Sequence, residues 1–283
     1  MNQPSVEAVL RDLHLPSIRF FPTIDSTNDE AWRWVEASAP HGALVIADEQ
    51  SAGRGRLQRR WISIAGSGLA FSLVLRSPPL DGHLAGRLVG LAAVAICRAI
   101  ESNIDLQAQI KWPNDILIDQ RKTAGILVES RWEGENLVAA VIGIGINIAP
   151  ESINTVNLPP ASLNYPVTCV EAVAGHPVDR LGLLNATLQE VFYWLPSLAT
   201  PAFMIEWDRR LAYSGEWVEL TMESPRQSTS SWPISQTGKL IGLNEDGSIK
   251  LQTASGELIA ARVGDLRLRP AYPPDEMEND LHV

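Results

Sequence analysis

The octapeptide Val141-Ile142-Gly143-Ile144-Gly145-Ile146-Asn147-Ile148 restricts this chain more than any other segment. Isoleucine and glycine alternate with a period of two, the repeat of a β-strand, whose successive side chains point to opposite faces. One side of such a strand is apolar and fills a core. The other is bare, so a flat ring or another backbone can lie directly on it. Close strand–strand packing and a ligand ring account for the pattern equally well. Asn147, inside the run, needs a hydrogen-bond partner once it is buried.

The flanking segments alternate in kind. Leu84–Glu101, rich in Ala, Leu and Val, reads as a helix. Its apolar run is interrupted by Arg98 and is shorter than the roughly 18–20 residues that span a bilayer, so it is a core helix. Shorter helices are expected at Ser5–Leu13, at Asp29–Ala37 behind a Ser26 or Thr27 cap, at Leu181–Trp194 and at Phe203–Leu211. Strands are expected at Arg19–Ile24, Gly42–Asp48, Gly68–Leu75, Ala108–Lys111, Asp115–Ile118, Thr123–Arg131 and Leu137–Ile148. Ala149–Tyr165 reads as an irregular connection. From about residue 213 the texture changes to short strands at Trp217–Thr221, Gly238–Leu243, Ser248–Thr253 and Leu258–Val263, with turn signals between the last three. The expected organisation is an α/β (α+β) domain over 1–212, a small β-barrel over 213–270 interrupted by an insertion at Glu223–Ser235, and an acidic, unfolded tail over 271–283.

Charge and cysteine content narrow the function. A net charge of -10 argues against bulk nucleic-acid binding, which leaves a basic footprint. Cys97 and Cys169 stand far apart without metal-ligand neighbours, which gives neither a disulfide framework nor a zinc site and suits a reducing cytoplasm. The N-terminus carries acidic residues and no apolar core, unlike a secretory signal, and no membrane association is expected.

Three further segments carry chemistry. Gly53-Arg54-Gly55-Arg56-Leu57-Gln58-Arg59-Arg60-Trp61 packs four arginines into seven residues, beside glycines that let the backbone approach a ligand. Arginine's planar fork suits phosphate or carboxylate, although a basic surface loop or an RNA contact has the same composition. Neither a dinucleotide fingerprint nor a Walker A sequence occurs: Gln58 replaces the third glycine of the first, and Gly238-Lys239-Leu240 lacks the Ser/Thr of the second. Lys111-Trp112-Pro113-Asn114-Asp115 clusters a cation, an amide and a carboxylate around a proline that interrupts ladder pairing. Arg121-Lys122-Thr123-Ala124-Gly125-Ile126-Leu127-Val128-Glu129 puts a lysine among small neighbours at the start of an apolar strand.

Taken in order, Ser26-Thr27-Asn28, Asp48–Arg56, Lys111–Asp115, Lys122-x-Ala124-Gly125-Ile126-Leu127 and Gly143-x-Gly145-x-Asn147 resemble the biotin–protein ligase family across roughly residues 20–150, and the small barrel resembles that family's tail. The resemblance implies a mixed sheet with flanking helices, like that of class II aminoacyl-tRNA synthetases, plus an SH3-like barrel. It implies formation of biotinyl-AMP from biotin and MgATP, then transfer of biotin to a lysine of the biotin carboxyl carrier protein of acetyl-CoA carboxylase. Biotin contacts carry over to Ser26, Thr27, Asn28, Gln50, Gly53, Arg54, Gly55, Arg56, Lys122, Gly143 and Gly145. ATP contacts carry over to Arg59, Trp61, Lys111, Asn114 and Asn147, and an Mg²⁺ contact to Asp115. Lys122, Arg56 and Arg54 carry the catalytic roles. Leu57-Gln58 departs from the family's usual Arg-Gly pair. The rivals are a lipoate–protein ligase, whose Arg-Arg…Gly-Gly-Gly and His-Asp signatures are missing here, a non-catalytic biotin sensor, which the intact Lys122 argues against, and a nucleic-acid-binding module. Oligomeric state is left open, a homodimer included.

Bifunctional members of that family carry an N-terminal winged helix-turn-helix, and the stretch before Ser26 is too short for one. No specific DNA complex is therefore expected. In a mobility-shift assay at physiological salt, any association should be weak, steeply salt-sensitive and reduced by biotinyl-AMP. A tight, sequence-selective complex strengthened by biotin and ATP would overturn the single-function reading.

Overall fold

The computed structural model describes residues 1–76, 84–153, 165–222, 235–261 and 266–271. Seven strands form one mixed sheet: β1 (Ile18–Ile24), β2 (Leu44–Gln50), β3 (Gly68–Arg76), β4 (Gln109–Lys111), β5 (Asp115–Ile118), β6 (Arg121–Glu133) and β7 (Asn136–Asn147). Their order is β1-β2-β3-β7-β6-β5-β4; β1 and β2 run parallel and all other neighbours antiparallel.

The period-two pattern decides which face each helix covers. Leu69, Phe71, Leu73 and Leu75 of β3, with Ile142, Ile144 and Ile146 of β7, enter a core under helix α3 (Arg87–Ile104), whose Leu88, Leu91, Ala92, Ala95 and Ile96 are fully buried. The opposite face is covered only in part. Helix α2 (Thr27–Glu36) packs Ala31, Trp34 and Val35 on Val45, Val74 and Val141. At the glycine end of β6 and β7, α2 reaches Gly143 through Asn28 but leaves Gly125 and Gly145 to Trp61.

Helix boundaries moved where caps outweigh composition. Instead of one helix over Ser5–Leu13, helix α1 (Gln3–Val9) is followed by a 3₁₀ turn over Arg11–Leu13 that ends at left-handed His14. The Asn2 side chain accepts from the Ser5 N–H in a capping box that starts α1 two residues early. Ser26, not Thr27, caps α2 by accepting from the Asp29 N–H. Helix α3 begins at Arg87 rather than Leu84. A short helix that was not expected, α4 (Val170–Ala174), stops at Gly175, whose φ of 76° is open to glycine. Helices α5 (Arg180–Trp194) and α6 (Pro201–Asp208) complete the layer around α3. Among the described residues no helix is long and apolar enough to cross a membrane.

A second, five-stranded antiparallel sheet contains β8 (Trp217–Met222), β9 (Ser235–Leu243), β10 (Ile249–Gln252), β11 (Leu258–Ala261) and β12 (Leu266–Pro270), in the order β11-β10-β9-β8-β12. Strand β12 was not expected from the sequence. Most of the insertion, the acidic tail after Ala271 and the middle of Ala149–Tyr165 lie outside the described residues. The two sheets share one apolar core, in which Leu240, Ile249, Leu251 and Leu268 join Trp112, Phe203 and Trp207. The Trp112 indole N–H donates to the Gly247 carbonyl (3.1 Å), and the Leu243 N–H donates to Asp208 (2.8 Å). Trp207 of α6 is wedged between α3 and the 244–248 turn. A Cβ on Gly90 would overlap its ring, and one on Gly247 would come within 2.8 Å of it.

This joint core predicts cooperative melting. Trp207→Ala should cost about 3–5 kcal/mol, the scale for emptying a buried aromatic site, and calorimetry should still show one transition at a lower Tm. Two separated transitions would show that the sheets melt independently.

Candidate functional site

The uncovered part of the sheet is the floor of a cleft of about 530 Å³. Gly125 of β6 is the partner of Gly145 of β7, and Gly143 lies opposite Leu127, so the floor is nearly free of side chains. Its bareness is fully used. A Cβ on Gly145 would overlap the Trp61 indole, and a Cβ on Gly143 would overlap the Asn28 amide. At Gly125 a Cβ would come within 3.0 Å of Trp61 and 3.3 Å of the Lys122 amine. The ring that lies on the glycines in this structure is therefore the chain's own Trp61. All positions singled out from the sequence line the cleft except Gly53, which sits behind Trp61 and accepts that residue's N–H through its carbonyl (2.9 Å).

One wall is a polar cluster at the start of α2. Gln50 accepts from the Thr27 N–H (2.8 Å) and hydroxyl (3.1 Å). The hydroxyl of Ser72, fully buried on β3, reaches Thr27 Oγ1 (2.9 Å) and Asn28 Oδ1 (2.6 Å). The Asn28 amide donates to Glu129 Oε2 (2.9 Å). Ser26, the cap of α2, completes this wall.

The roof is the Gly/Arg loop, folded on itself by the Gly55 N–H donating to the Arg59 carbonyl (2.7 Å). Leu57 holds a left-handed backbone (φ 57°, ψ 38°) at a cost of about 1–2 kcal/mol for an L-residue. Arg54 is bidentate to Glu129 (2.9 and 2.7 Å) and reaches Asp29 (2.8 Å). Burial lowers the Arg54 pKa, but the hydrogen bond and charge of Glu129, then the charge of Asp29, outweigh it and raise it overall. Arg56 donates to Asn114 Oδ1 (2.9 Å), and the Asn114 amide donates to the Ile126 carbonyl (3.0 Å), which ties the roof to the floor. Arg59 also lines the roof.

The far end is cationic. Lys122 Nζ forms an ion pair with the buried Asp115 Oδ1 at 2.6 Å. Lys111, nearly buried, lies 3.9 Å from the other Asp115 oxygen and 4.5 Å from the centre of the Tyr165 ring. Backbone bonds on both sides fix Lys122: its N–H donates to the Pro166 carbonyl, and its carbonyl accepts from the Thr168 N–H, each at 2.8 Å. Asn147, buried as expected, donates to the Thr168 carbonyl (3.3 Å). Arg54, Arg56, Arg59, Arg60, Lys111 and Lys122 thus surround a cleft whose only described lining carboxylate is Asp115. No group of three His, Cys, Asp or Glu side chains suited to a metal occurs among the described residues.

Ser72, Glu129, Tyr165 and Leu268 join the site without belonging to the residues expected from the sequence. Glu129 had a signal, since period two from Gly125 puts it on the cleft face. Ser72 had one too, as a lone hydroxyl in an apolar strand. Leu268, which brings the second sheet to the cleft, had none.

Residues 20–147 match the sequence profile of the biotin/lipoate A/B protein ligase family. The bifunctional ligase/repressor BirA of Bacillus spizizenii is 33% identical over 239 residues, which cover 82% of this chain and 68% of that protein. The biotin–[acetyl-CoA-carboxylase] ligase of Paracoccus denitrificans is 37% identical over 198 residues, covering 68% of this chain and 80% of that one. Among solved structures, the biotin protein ligase of Aquifex aeolicus in complex with biotin and ATP superposes with a TM-score of 0.72 at 26% identity, over 90% of this chain and 99% of its own.

The polar wall makes a stability prediction of its own. Ser72→Ala strips Thr27 and Asn28 of a buried partner and should cost about 1–3 kcal/mol, read as a lower urea midpoint at unchanged slope. An unchanged midpoint would mean that the cluster contributes nothing to holding α2 on the sheet.

Proposed function

Because this chain belongs to the biotin–protein ligase family, we propose that its cleft joins biotin to ATP as biotinyl-AMP and then hands the biotinyl group to a lysine of a biotin carboxyl carrier protein. The chain is a ligase. The observation that carries the finer reading is the run from the polar wall at Thr27 and Asn28, along the glycine floor beside Trp61, to the Lys122–Asp115–Lys111 end, in a cleft lined by six cations. A carboxylate attacking an α-phosphate must overcome the repulsion of two anions, and fixed cations remove that barrier without proton transfer.

On this reading the bicyclic ring of biotin lies at the Gly143 end, with its ureido group toward Ser26, Thr27, Asn28 and Gln50. Its carboxylate points to Lys122, and Gly53, Arg54, Gly55 and Arg56 close over it. A biotin carboxylate oxygen attacks the α-phosphorus, the bond to the β-phosphate breaks and pyrophosphate leaves. Lys122, Arg56 and Arg54 offset the charge on the two reacting groups. ATP is assigned to Arg59, Trp61, Lys111, Asn114 and Asn147. Magnesium would arrive with ATP and screen its phosphates. Asp115 is the residue that would hold it, since this ion takes one or two carboxylates plus phosphate and water. In the second step the carrier's lysine attacks the acyl carbon, the bond to the phosphate oxygen breaks, and AMP leaves as the amine loses a proton. No residue of this chain need become acylated, and a closed roof limits hydrolysis of the mixed anhydride.

We assign residues 1–212 to the catalytic unit and 213–270 to a barrel that supports the ATP end, a role for which Leu268 at the cleft is the support. A cytoplasmic location fits the free, buried Cys97 and Cys169.

Lys122→Ala should fold normally yet lose biotinyl-AMP formation by at least about 10²-fold, the scale for removing one electrostatic stabiliser of a transition state. Pyrophosphate release in single-turnover reactions reads the step directly. A near wild-type rate would refute the assignment.

A further inference from the structure

Glu129 stands on β6 with the same facing as Gly125 and Leu127, one pleat beyond the floor. Its carboxylate joins two groups that are far apart in sequence. Oε2 accepts from the Asn28 amide (2.9 Å) and from Arg54 Nη2 (2.7 Å), while Oε1 accepts from Arg54 Nη1 (2.9 Å). Asn28 belongs to the wall at the helix start, and its oxygen is held by the Ser72 hydroxyl (2.6 Å). Arg54 belongs to the roof. Asp29, next to Asn28, adds a second acid to Arg54 (2.8 Å).

The geometry has a direct chemical consequence. An amide rotated by half a turn exchanges a donor for an acceptor, so a ligand's carbonyl or N–H is read correctly only if the Asn28 amide is locked. The carboxylate locks it, because it can only accept. The same carboxylate presents two oxygens in the one geometry that matches the guanidinium fork of Arg54. The Leu127 carbonyl also accepts from the Asn28 amide (3.3 Å) and Asp29 also holds Arg54, but Glu129 is the one side chain that bonds both Asn28 and Arg54.

We propose that Glu129 is a positioning residue that couples closure of the Gly/Arg roof to the orientation of Asn28, and so sets how tightly the ring end of biotin is held. The proposal rests on the reading of the cleft as a biotin and ATP site. Glu129 lies at the Asn28 end, away from the Lys122–Asp115–Lys111 end, so its effect falls on biotin and on retention of the intermediate rather than on ATP.

The test compares Glu129→Ala and Glu129→Gln in the full chain, with biotin, MgATP and a biotin-carrier domain. Glu129→Ala should raise KM for biotin about tenfold, the scale of a lost charge-assisted hydrogen bond, slow biotinyl-AMP formation because Arg54 loses its fixed orientation, and leave KM for ATP within about twofold. Release of biotinyl-AMP without acceptor should speed up by a similar factor. Glu129→Gln keeps an oxygen for Asn28 but loses the bidentate fit to Arg54. It should raise KM for biotin less than Glu129→Ala and still accelerate release. In the double variant with Arg54→Ala, the two effects on release should be strongly non-additive. Should Glu129→Ala fail to fold, the near-isosteric Glu129→Gln carries the test. Unchanged KM for biotin and unchanged release in a folded variant would overturn the coupling, as would a lower Tm with equal losses toward both substrates. A wild-type protein that makes no biotinyl-AMP would instead overturn the reading of the site.

Discussion

Two paired strands that bring Gly125, Gly143 and Gly145 together on one face are the constraint on which the rest of this molecule depends. β6 and β7 must be apolar where they meet α3, and Ile142, Ile144 and Ile146 fill that core. The same residues leave Gly143 and Gly145 on the far face, opposite Leu127 and Gly125. A strand of glycine is intrinsically weak, since it packs nothing and loses the most conformational freedom on folding. Here the isoleucines on one side and the pairing with β3 and β6 on both edges compensate. Bareness at the centre of a sheet is tolerable only where its neighbours are this strong, which locates the cleft at the middle of the sheet and not at an edge.

Charge is distributed by the same logic. The protein carries a net charge of -10, yet six cations surround the cleft. Cations gathered at a partly desolvated site repel one another, and the effect grows as the local dielectric falls. The chain offsets this with partners drawn from the cleft's own margin. Glu129 and Asp29 hold Arg54, Asn114 holds Arg56, and Asp115 stands against Lys122. These partners leave a field that favours anionic ligands while keeping each guanidinium or amine oriented before a ligand arrives. Such preorganisation is what electrostatic catalysis needs, because little reorientation remains to be done at the moment of reaction.

Much of this was legible in the residues, for identifiable reasons. The Ile/Gly alternation specified a two-faced strand, and the long Ala/Leu/Val run specified the helix covering its apolar side. The short motifs converge on one cleft because the Gly143–Asn147 run forms its floor along β7 and the others sit at strand ends or tight turns, where composition and geometry are closely linked. What failed to show depended on contacts distant in sequence. Strand β12 is defined by its pairing with β8, more than forty positions earlier, and no local pattern announces it. Helix α1 starts early because of an Asn2–Ser5 capping box that apolar periodicity does not register. That Trp61 would be the ring on the glycine floor followed from neither segment by itself. Glu129 and Ser72 gain their meaning from Asn28, which lies 101 and 44 positions away respectively.

The segment Lys111-Trp112-Pro113-Asn114-Asp115 joins these features mechanically. Lys111 and Asp115 face the cleft, and Asn114 holds both Arg56 of the roof and the backbone of β6. Trp112, between them, is almost completely buried and points the other way, into the second sheet, where its indole bonds the Gly247 carbonyl. A displacement of that sheet by even an ångström would be transmitted through Trp112 to the groups on either side, because a close-packed interior shifts as a unit. The second sheet therefore takes part in the site in two ways: it adds Leu268 to the cleft lining, and it fixes the strand end from which the cationic groups project. A fold in which the small sheet shares its core with α3 and α6 meets that requirement, whereas a barrel tethered only by a linker would leave Lys111 and Asp115 without a rigid base.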